Sequence, residues 1–325
     1  MNEPSLQMVV SPDTERAQRV PPGQVQTRKW PVLHAGSTPR FDRAKWTFHI
    51  FGLVEQPWQC TYDEFMAVPR VSVLDDMHCV TRWSKLDNMW EGVNTREVLR
   101  RVNVLPAAKF VMVHCEYGFT TNLPLDDYFG EDCLFAFAHN GQPLEPDHGY
   151  PVRLVVPGYY GTYWVKHLSD IQVIDQVYDG FWMKPAYRVP DNACACVEPG
   201  SAPAATRPIG RFNVRSFITS IGDGARVPAG QALAVRGIAF DGGQGIREVA
   251  WSADGGQSWR EATLGQDLGR FSFREFTFGF TPQAGAHDLR VRAFNRSGES
   301  QPMEALWQPS GYMRNVVESV RIQAS

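Results

Sequence analysis

The first half of the chain mixes strand-like and helix-like patterns of apolar residues. Thr61 and Glu64 form a capping-box sequence, which predicts a short helix ending at Pro69, and Asn94 predicts the start of a second helix. Asn140-Gly141 predicts a β-hairpin turn. Because strands and helices alternate irregularly, the pattern predicts an α+β domain with a mixed sheet. Three apolar, β-branched and aromatic runs are typical of buried strands: WTFHIFGLV (46–54), FVMVHC (110–115) and PVRLVVP (151–157).

The last third of the chain follows the two-residue period of β-strands. FSFREFTFGF (271–280) and HDLRVRAF (287–294) alternate apolar and polar residues, and Asp-Gly-Gly turns stand at 241–243 and 254–256. About seven short strands in this length predict an all-β, immunoglobulin-like sandwich.

A stretch without periodicity separates the two patterns. Residues 188–210 are rich in proline, alanine and glycine, which is typical of a linker. The predicted organisation is therefore an N-terminal extension at 1–24, a mixed α/β catalytic domain at 25–190, a linker at 191–210 and an all-β domain at 211–325.

Composition narrows the classes of function. A net charge of −3 argues against general nucleic-acid binding. The sequence contains no run of eighteen apolar residues, which is about the length needed to cross a membrane. The first residues lack the pattern of a signal peptide. We therefore expect a cytoplasmic protein on the sequence given, or a periplasmic one if a twin-arginine leader was removed. A small-molecule substrate or a protein partner is favoured.

The six cysteines are scattered, and none forms a C-x-x-C motif. Zinc-ribbon, thioredoxin and c-type haem assignments therefore lose their main signal. Cys194 and Cys196 flank one alanine in the proline-rich stretch. They could bind metal or oxidise, but an incidental pair of linker cysteines is the favoured interpretation.

Two groups of residues are candidates for chemistry. Cys79, in HCVTRWS, is a packing residue, a nucleophile or a thiolate ligand of a soft metal, and its own residue type does not decide which. His148, Arg153 and Lys166 lie around an apolar strand and a glycine-containing turn. They form either a phosphate pocket, to which arginine contributes a planar pair of donors, or three ordinary solvated cations.

Together these motifs resemble the sulfite oxidase family. HCVTRWS, the later Trp90-Glu91-Gly92, DHGYPVRLVVPG (147–158) and Trp164-Val165-Lys166 are similar, in this order, to its molybdopterin domain. VRGIAFDGGQGIREVAWSADGGQSW and WQPSGYMRNVVESVRI resemble its C-terminal immunoglobulin-like dimerisation domain. The resemblance extends from about residue 25 to the end of the chain.

The resemblance implies a molybdenum cofactor with a single pyranopterin (Mo-molybdopterin), whose metal is bound by the Cys79 thiolate. Arg28, in Thr27-Arg28 before Trp30, would face both cofactor and substrate. Trp90 would line the substrate pocket, and Tyr187 matches an active-site tyrosine. The residues implied to contact the cofactor are Arg28, Trp30, His34, Cys79, Cys115, His148, Arg153, Trp164, Val165 and Lys166.

Two departures from the family pattern concern the substrate anion. Animal sulfite oxidases have Cys-Ala-Gly-Asn-Arg-Arg at the metal ligand, whereas this chain has Ser84 at the position of the last arginine. Ser310 stands where an arginine of the second domain is expected. Whether Arg82 or Arg314 replaces these arginines stays open. The departures bear on the substrate and leave the expected cofactor unchanged.

The implied activity is oxidation of sulfite to sulfate. Because no haem motif is present, the electrons would pass to an external acceptor such as a cytochrome c. Two other functions remain: reduction of a sulfoxide or N-oxide, as in methionine-sulfoxide reductases, and a non-catalytic immunoglobulin-like binding protein. The second domain implies a homodimer.

Overall fold

The structure is a computed structural model, and it describes residues 7–10, 25–26, 30–32, 36–78, 83–267 and 273–325. These residues divide into two compact units, one containing most of the chain up to Arg188 and the other containing Val189–Ser325. Within the described ranges, no helix is long and apolar enough to cross a membrane.

Short elements make up the chain before Arg188. The α-helices in this described part are α1 (Tyr62–Met66), α2 (Thr95–Arg101) and α3 (Leu125–Tyr128), with 3₁₀ turns at Pro146–His148 and Gly161–Tyr163. The strands are β1 (Gln7–Val10), β2 (Val25–Gln26), β3 (Thr47–Gly52), β4 (Trp58–Thr61), β5 (Val71–His78), β6 (Trp83–Asn94), β7 (Phe110–Cys115), β8 (Thr120–Pro124), β9 (Leu134–His139), β10 (Gln142–Pro143), β11 (Arg153–Val155) and β12 (Leu168–Ile174).

Two sheets organise these strands. The larger has the order β1-β5-β6-β9-β10, with β11 also paired to β9 and β2 to β6, and the smaller has the order β4-β3-β12-β7-β8. The pairs β1–β5, β2–β6 and β3–β12 are parallel, whereas β9 is antiparallel to β6, β10 and β11. The sheets are therefore mixed, as the sequence predicts.

Helices contribute less than the expected α+β class implies, and the described chain is mainly β. The Thr61–Glu64 capping box does form, but α1 ends at Met66. Val68 precedes Pro69, and a residue before proline disfavours helical backbone, which agrees with the end of α1 at Met66. Asn94 likewise caps α2 by accepting a hydrogen bond from the Arg96 N–H. The predicted N-terminal caps of both helices are therefore confirmed, and both helices are short.

An aromatic core joins the elements of the first unit. Phe48 of β3 lies 5.3 Å from Phe65 of α1 and 5.2 Å from Phe135 of β9, measured between ring centroids. All three side chains are completely buried. The core therefore links the two sheets and anchors β9, whose last residue is His139.

The second unit is all-β, as predicted. One sheet has the order β15-β17-β21-β20, the other has the order β16-β23-β22-β18-β19, and β13 pairs with β14. A single buried core contains residues of both larger sheets, including Val235, Phe276, Val249 and Leu289, so the sheets form a sandwich. The strands are β13 (Arg188–Pro190), β14 (Thr206–Pro208), β15 (Arg215–Ile218), β16 (Ala225–Val227), β17 (Leu233–Phe240), β18 (Ile246–Ser252), β19 (Arg260–Glu261), β20 (Thr263–Leu264), β21 (Arg274–Phe280), β22 (Gly285–Asn295) and β23 (Ser319–Ala324).

The stretch predicted as a linker is folded at both ends. Its first and last parts form β13 and β14, and the Asp191 N–H donates to the Ala205 carbonyl. Cys194 and Cys196, between these strands, are joined by a disulfide. Composition did not predict the pairing of β13 with β14, because the two strands lie well apart in the sequence.

Candidate functional site

A cluster of aromatic and cationic side chains in the first unit lies beside β6, the end of β9 and the start of β11. Trp30 stacks on His148, with ring centroids 3.9 Å apart and an interplanar angle of 9°. Trp90 of β6 meets Trp30 edge-on at 5.3 Å, and His139 at the end of β9 lies 4.7 Å from Trp90. Together with Arg153, these residues are called the Trp30 cluster.

Arg153 is the charged centre of the Trp30 cluster. Its Nη1 donates to the His148 carbonyl at 3.0 Å and its Nη2 to the Trp164 carbonyl at 3.1 Å. The guanidinium carbon lies 5.0 Å from the ring of Trp30 and 5.3 Å from that of Trp90. Burial lowers the pKa of Arg153 to about 9, so the group remains charged at neutral pH.

This buried cation has the surroundings of an anion-binding group. Among the described residues, Glu145 pairs with His148 at 3.6 Å and not with Arg153, whose Nε has no hydrogen-bond partner there. An isolated buried charge is strongly unfavourable unless it is paired. An anion bound at this position would supply the missing partner.

Gly149 allows His148, Arg153 and Lys166 to approach one another. Its φ is +112°, which ends the 3₁₀ turn, and a Cβ there would lie 2.9 Å from the Cβ of Arg153. Lys166 Nζ donates to the Asp147 carbonyl at 2.9 Å. Burial, with a further contribution from Arg153, lowers the pKa of Lys166 to about 8. The predicted grouping of His148, Arg153 and Lys166 is therefore present.

Sequence reasoning missed three polar members of this region. Asn88 Oδ1 accepts from Lys85 Nζ at 2.9 Å and from His139 Nε2 at 3.0 Å. The lysine ammonium lies 5.8 Å from the Trp30 ring. Burial, with repulsion from Lys85 and Arg153, lowers the pKa of His139 to about 3, so its imidazole is neutral. His139 faces Trp90 through the β6–β9 register, a pairing that no local motif reveals.

The other predicted residues occupy different surroundings. Cys115 is buried at the end of β7, where burial raises its thiol pKa, whereas the completely buried Trp90 belongs to the Trp30 cluster. Tyr187 has φ +49°, and its ring centroid lies 6.1 Å from that of Trp182. Val165 is buried, and its carbonyl accepts from the Leu154 N–H at 2.7 Å.

Four predicted site residues lie outside the described ranges: Arg28, His34, Cys79 and Arg82. Cys79 directly follows His78, the last residue of β5, and Arg82 directly precedes Trp83, the first residue of β6. Their assigned roles stay predictions. Ser310 and Arg314 belong to the second unit, where the Ser310 N–H donates to Gln308 Oε1 at 3.2 Å.

The donor set fits a phosphate-bearing pterin cofactor. The Nε of Arg153 is a buried donor in need of an acceptor, and Lys166 adds an ammonium beside it. Guanidinium and ammonium groups bind phosphate oxygens through short charge-assisted hydrogen bonds. His148, Arg153 and Lys166 would hold the pterin phosphate, and the Cys79 thiolate would bind the metal.

Comparisons with known proteins give the same assignment for both parts of the chain. Residues 35–182 match the oxidoreductase molybdopterin binding domain, and residues 206–325 match the Mo-co oxidoreductase dimerisation domain. The uncharacterized oxidoreductase YuiH of Bacillus subtilis (strain 168) is 42% identical over 177 residues, which are 54% of this chain and 89% of YuiH.

Longer alignments include both domains. Nitrate reductase [NADH] 1 of Oryza sativa subsp. japonica is 28% identical over 345 residues, covering 90% of this chain but only 37% of the plant enzyme. The sulfane dehydrogenase SoxCD from Paracoccus pantotrophus has a TM-score of 0.67 at 22% identity, over 89% of this chain and 78% of that chain. With the motifs and the Trp30 cluster, these matches show that the chain belongs to the sulfite oxidase family of molybdopterin oxidoreductases and that its cofactor is Mo-molybdopterin.

Proposed function

We propose that this protein oxidises sulfite to sulfate and passes the electrons to an external acceptor such as a cytochrome c. The observation that carries this proposal is the set of three basic side chains at the site. Lys85, Arg153 and Lys166 lie in or beside the Trp30 cluster. Lys85 and Arg153 donate to amide and carbonyl oxygens, and the charge of Asp147 acts on Lys166. Such a site favours an anion over a neutral sulfoxide.

The chain's own residues position the reactants, while the bound cofactor supplies oxygen-atom transfer and two-electron redox chemistry. Two carbonyls fix the guanidinium of Arg153, so the direction of its Nε–H is also fixed. Neutral His139 donates to Asn88, and Asn88 holds the ammonium of Lys85 near the Trp30 ring. We propose that Lys85 attracts the substrate anion and that Arg28, Arg82 and Tyr187 bind it.

Arg28→Met should raise the KM for sulfite roughly ten- to a hundredfold, because a charged hydrogen bond contributes about 1.5–3 kcal/mol. Steady-state rates with ferricyanide or cytochrome c as acceptor measure the effect, with a full molybdenum complement in every sample. Lys45→Met is the matched control, since the Lys45 side chain is 84% exposed and pairs with Asp42. An unchanged KM in Arg28→Met would remove Arg28 from the anion pocket.

Reduction of an oxygenated substrate is the second candidate. Nitrate reductases align with 90% of this chain, over both domains. The same preparation is therefore given reduced viologen with nitrate or with methionine sulfoxide. Faster turnover of either compound, with sulfite inert, would transfer the protein to the reductase branch and contradict the sulfite proposal.

In the cofactor-free protein, binding of sulfate at the site should weaken as the pH rises through about 8, because Lys166 loses its proton in this range. The folded-state pKa is below that of a free lysine, so the charge is present below about pH 8 and lost above it. Titration of the cofactor-free protein with sulfate measures this directly, since sulfate keeps its charge across the range. Lys166→Arg should remove the pH dependence, and a persistent dependence would assign it to another group.

We also propose that the protein is a homodimer associated through the second unit. The Mo-co oxidoreductase dimerisation domain matches residues 206–325, and two-fold pairing is the commonest oligomeric form. Light scattering at micromolar concentration should give twice the chain mass. A monomer mass that does not change with concentration would exclude this association.

A further inference from the structure

The Cys194–Cys196 disulfide is poorly suited to stabilising the fold. It encloses only Ala195, and the chain-entropy stabilisation by a disulfide is smallest for the shortest loops. Cys194 is exposed and Cys196 is half-buried, whereas the free thiols of Cys60, Cys115 and Cys133 are buried. An accessible disulfide with little structural effect is of the kind that exchanges with external thiols.

The loop around the disulfide is fixed by other bonds. Asn192 Nδ2 donates to the Cys196 carbonyl at 2.8 Å, and the Cys196 N–H donates to Asn192 Oδ1 at 3.1 Å. The Val197 N–H donates to the Trp307 carbonyl at 2.9 Å. These bonds do not involve sulfur, so they persist when the disulfide is reduced. The two sulfur atoms would then stay close enough to re-form the bond.

Positive charge lies beside the exposed sulfur. Cys194, Arg207, Met313 and Arg314 line one narrow groove of the second unit. Arg207 has a long ion pair with Asp191 at 3.9 Å, and Arg314 is exposed. Guanidinium groups stabilise a departing thiolate and attract an anionic attacking thiol.

We propose that Cys194 and Cys196 form a thiol–disulfide exchange site that accepts two electrons from a small thiol carrying carboxylate groups. A thiolate attacks Cys194 Sγ, the Cys194–Cys196 bond breaks, and Cys196 leaves as a thiolate that takes a proton from water. A second thiolate attacks the small-molecule sulfur of the mixed disulfide and releases Cys194. The protein disulfide is thereby reduced to a dithiol, and two small thiols are oxidised to one disulfide. This site is independent of the proposed molybdenum chemistry.

The test uses the folded, full-length holoenzyme with glutathione as the probe. Samples are alkylated before and after glutathione treatment, and the tryptic peptide 189–211 is analysed by mass spectrometry. We expect no label before treatment and two labels after it, with Cys60, Cys115 and Cys133 unlabelled throughout. Labelling before treatment, or reduction only after unfolding, would overturn the proposal.

A second comparison tests the preference for an anionic thiol. The double variant Arg207→Gln/Arg314→Gln should slow reduction by glutathione roughly two- to fivefold, the effect of losing exposed charge interactions. Reduction by 2-mercaptoethanol, whose thiolate lacks the additional carboxylate charges, should slow less, and high salt should reduce the difference. If both thiols respond equally to the substitutions, the anionic substrate class is wrong. Sulfite turnover is measured in parallel, and its result neither supports nor contradicts the exchange site.

Discussion

Cys79→Ser should reduce molybdenum-dependent turnover to background while the protein remains folded. A serine hydroxyl stays protonated at neutral pH, so it cannot replace a thiolate as a ligand of a soft metal. The visible absorption from thiolate-to-metal charge transfer should disappear together with the activity. The pterin content should decrease less than the activity, since Arg153 and Lys166 would still hold the phosphate.

Cys60→Ser is the matched control for this experiment. Cys60 is buried in β4, and burial raises its thiol pKa to about 12, so it does not supply a thiolate at neutral pH. Its substitution should leave turnover and the visible spectrum unchanged. If Cys79→Ser keeps near wild-type turnover, another residue binds the metal.

Local backbone chemistry is the part of the fold that the sequence predicts best. The Asn140-Gly141 turn joins β9 to β10 because both residues adopt the positive φ values that such hairpins require, 50° and 74°. Gly92, of the Trp-Glu-Gly motif, lies at a bulge in the β6–β9 pair, and a Cβ there would be 2.3 Å from the Phe135 carbonyl oxygen. These are requirements of single residues, so a short motif can encode them.

Long-range pairing accounts for what the sequence did not predict. His139 enters the Trp30 cluster only because β9 pairs with β6 in one register. The proline-rich stretch is folded because β13 meets β14, which its composition cannot indicate. By contrast, the motif between His148 and Arg153 is short, and its turn alone brings both residues together. The candidate cofactor site is therefore predicted where it is local, and its polar network with Lys85 and Asn88 is not.

Arg153→Met should yield a folded protein that has lost most of its cofactor. Methionine has a suitable shape to lie between the rings of Trp30 and Trp90. Two energetic effects oppose each other in the cofactor-free protein. The His148 and Trp164 carbonyls lose a donor, at about 1–3 kcal/mol each, whereas removal of a desolvated charge stabilises by a similar amount. The urea midpoint of the cofactor-free protein should therefore change little.

The holoenzyme has no such compensation, because the variant removes the donor that is proposed to bind the phosphate. Molybdenum and pterin per chain should fall at least roughly tenfold, as expected when a charged hydrogen bond of about 1.5–3 kcal/mol is lost. Arg70→Met is the control: Arg70 also lies over an aromatic ring, Phe137 at 5.1 Å, and also donates to a carbonyl, that of Met66. Arg153→Lys keeps the charge but not the planar pair of donors, so its cofactor content should be intermediate. Full cofactor content in Arg153→Met would show that the buried guanidinium serves the fold and not the phosphate.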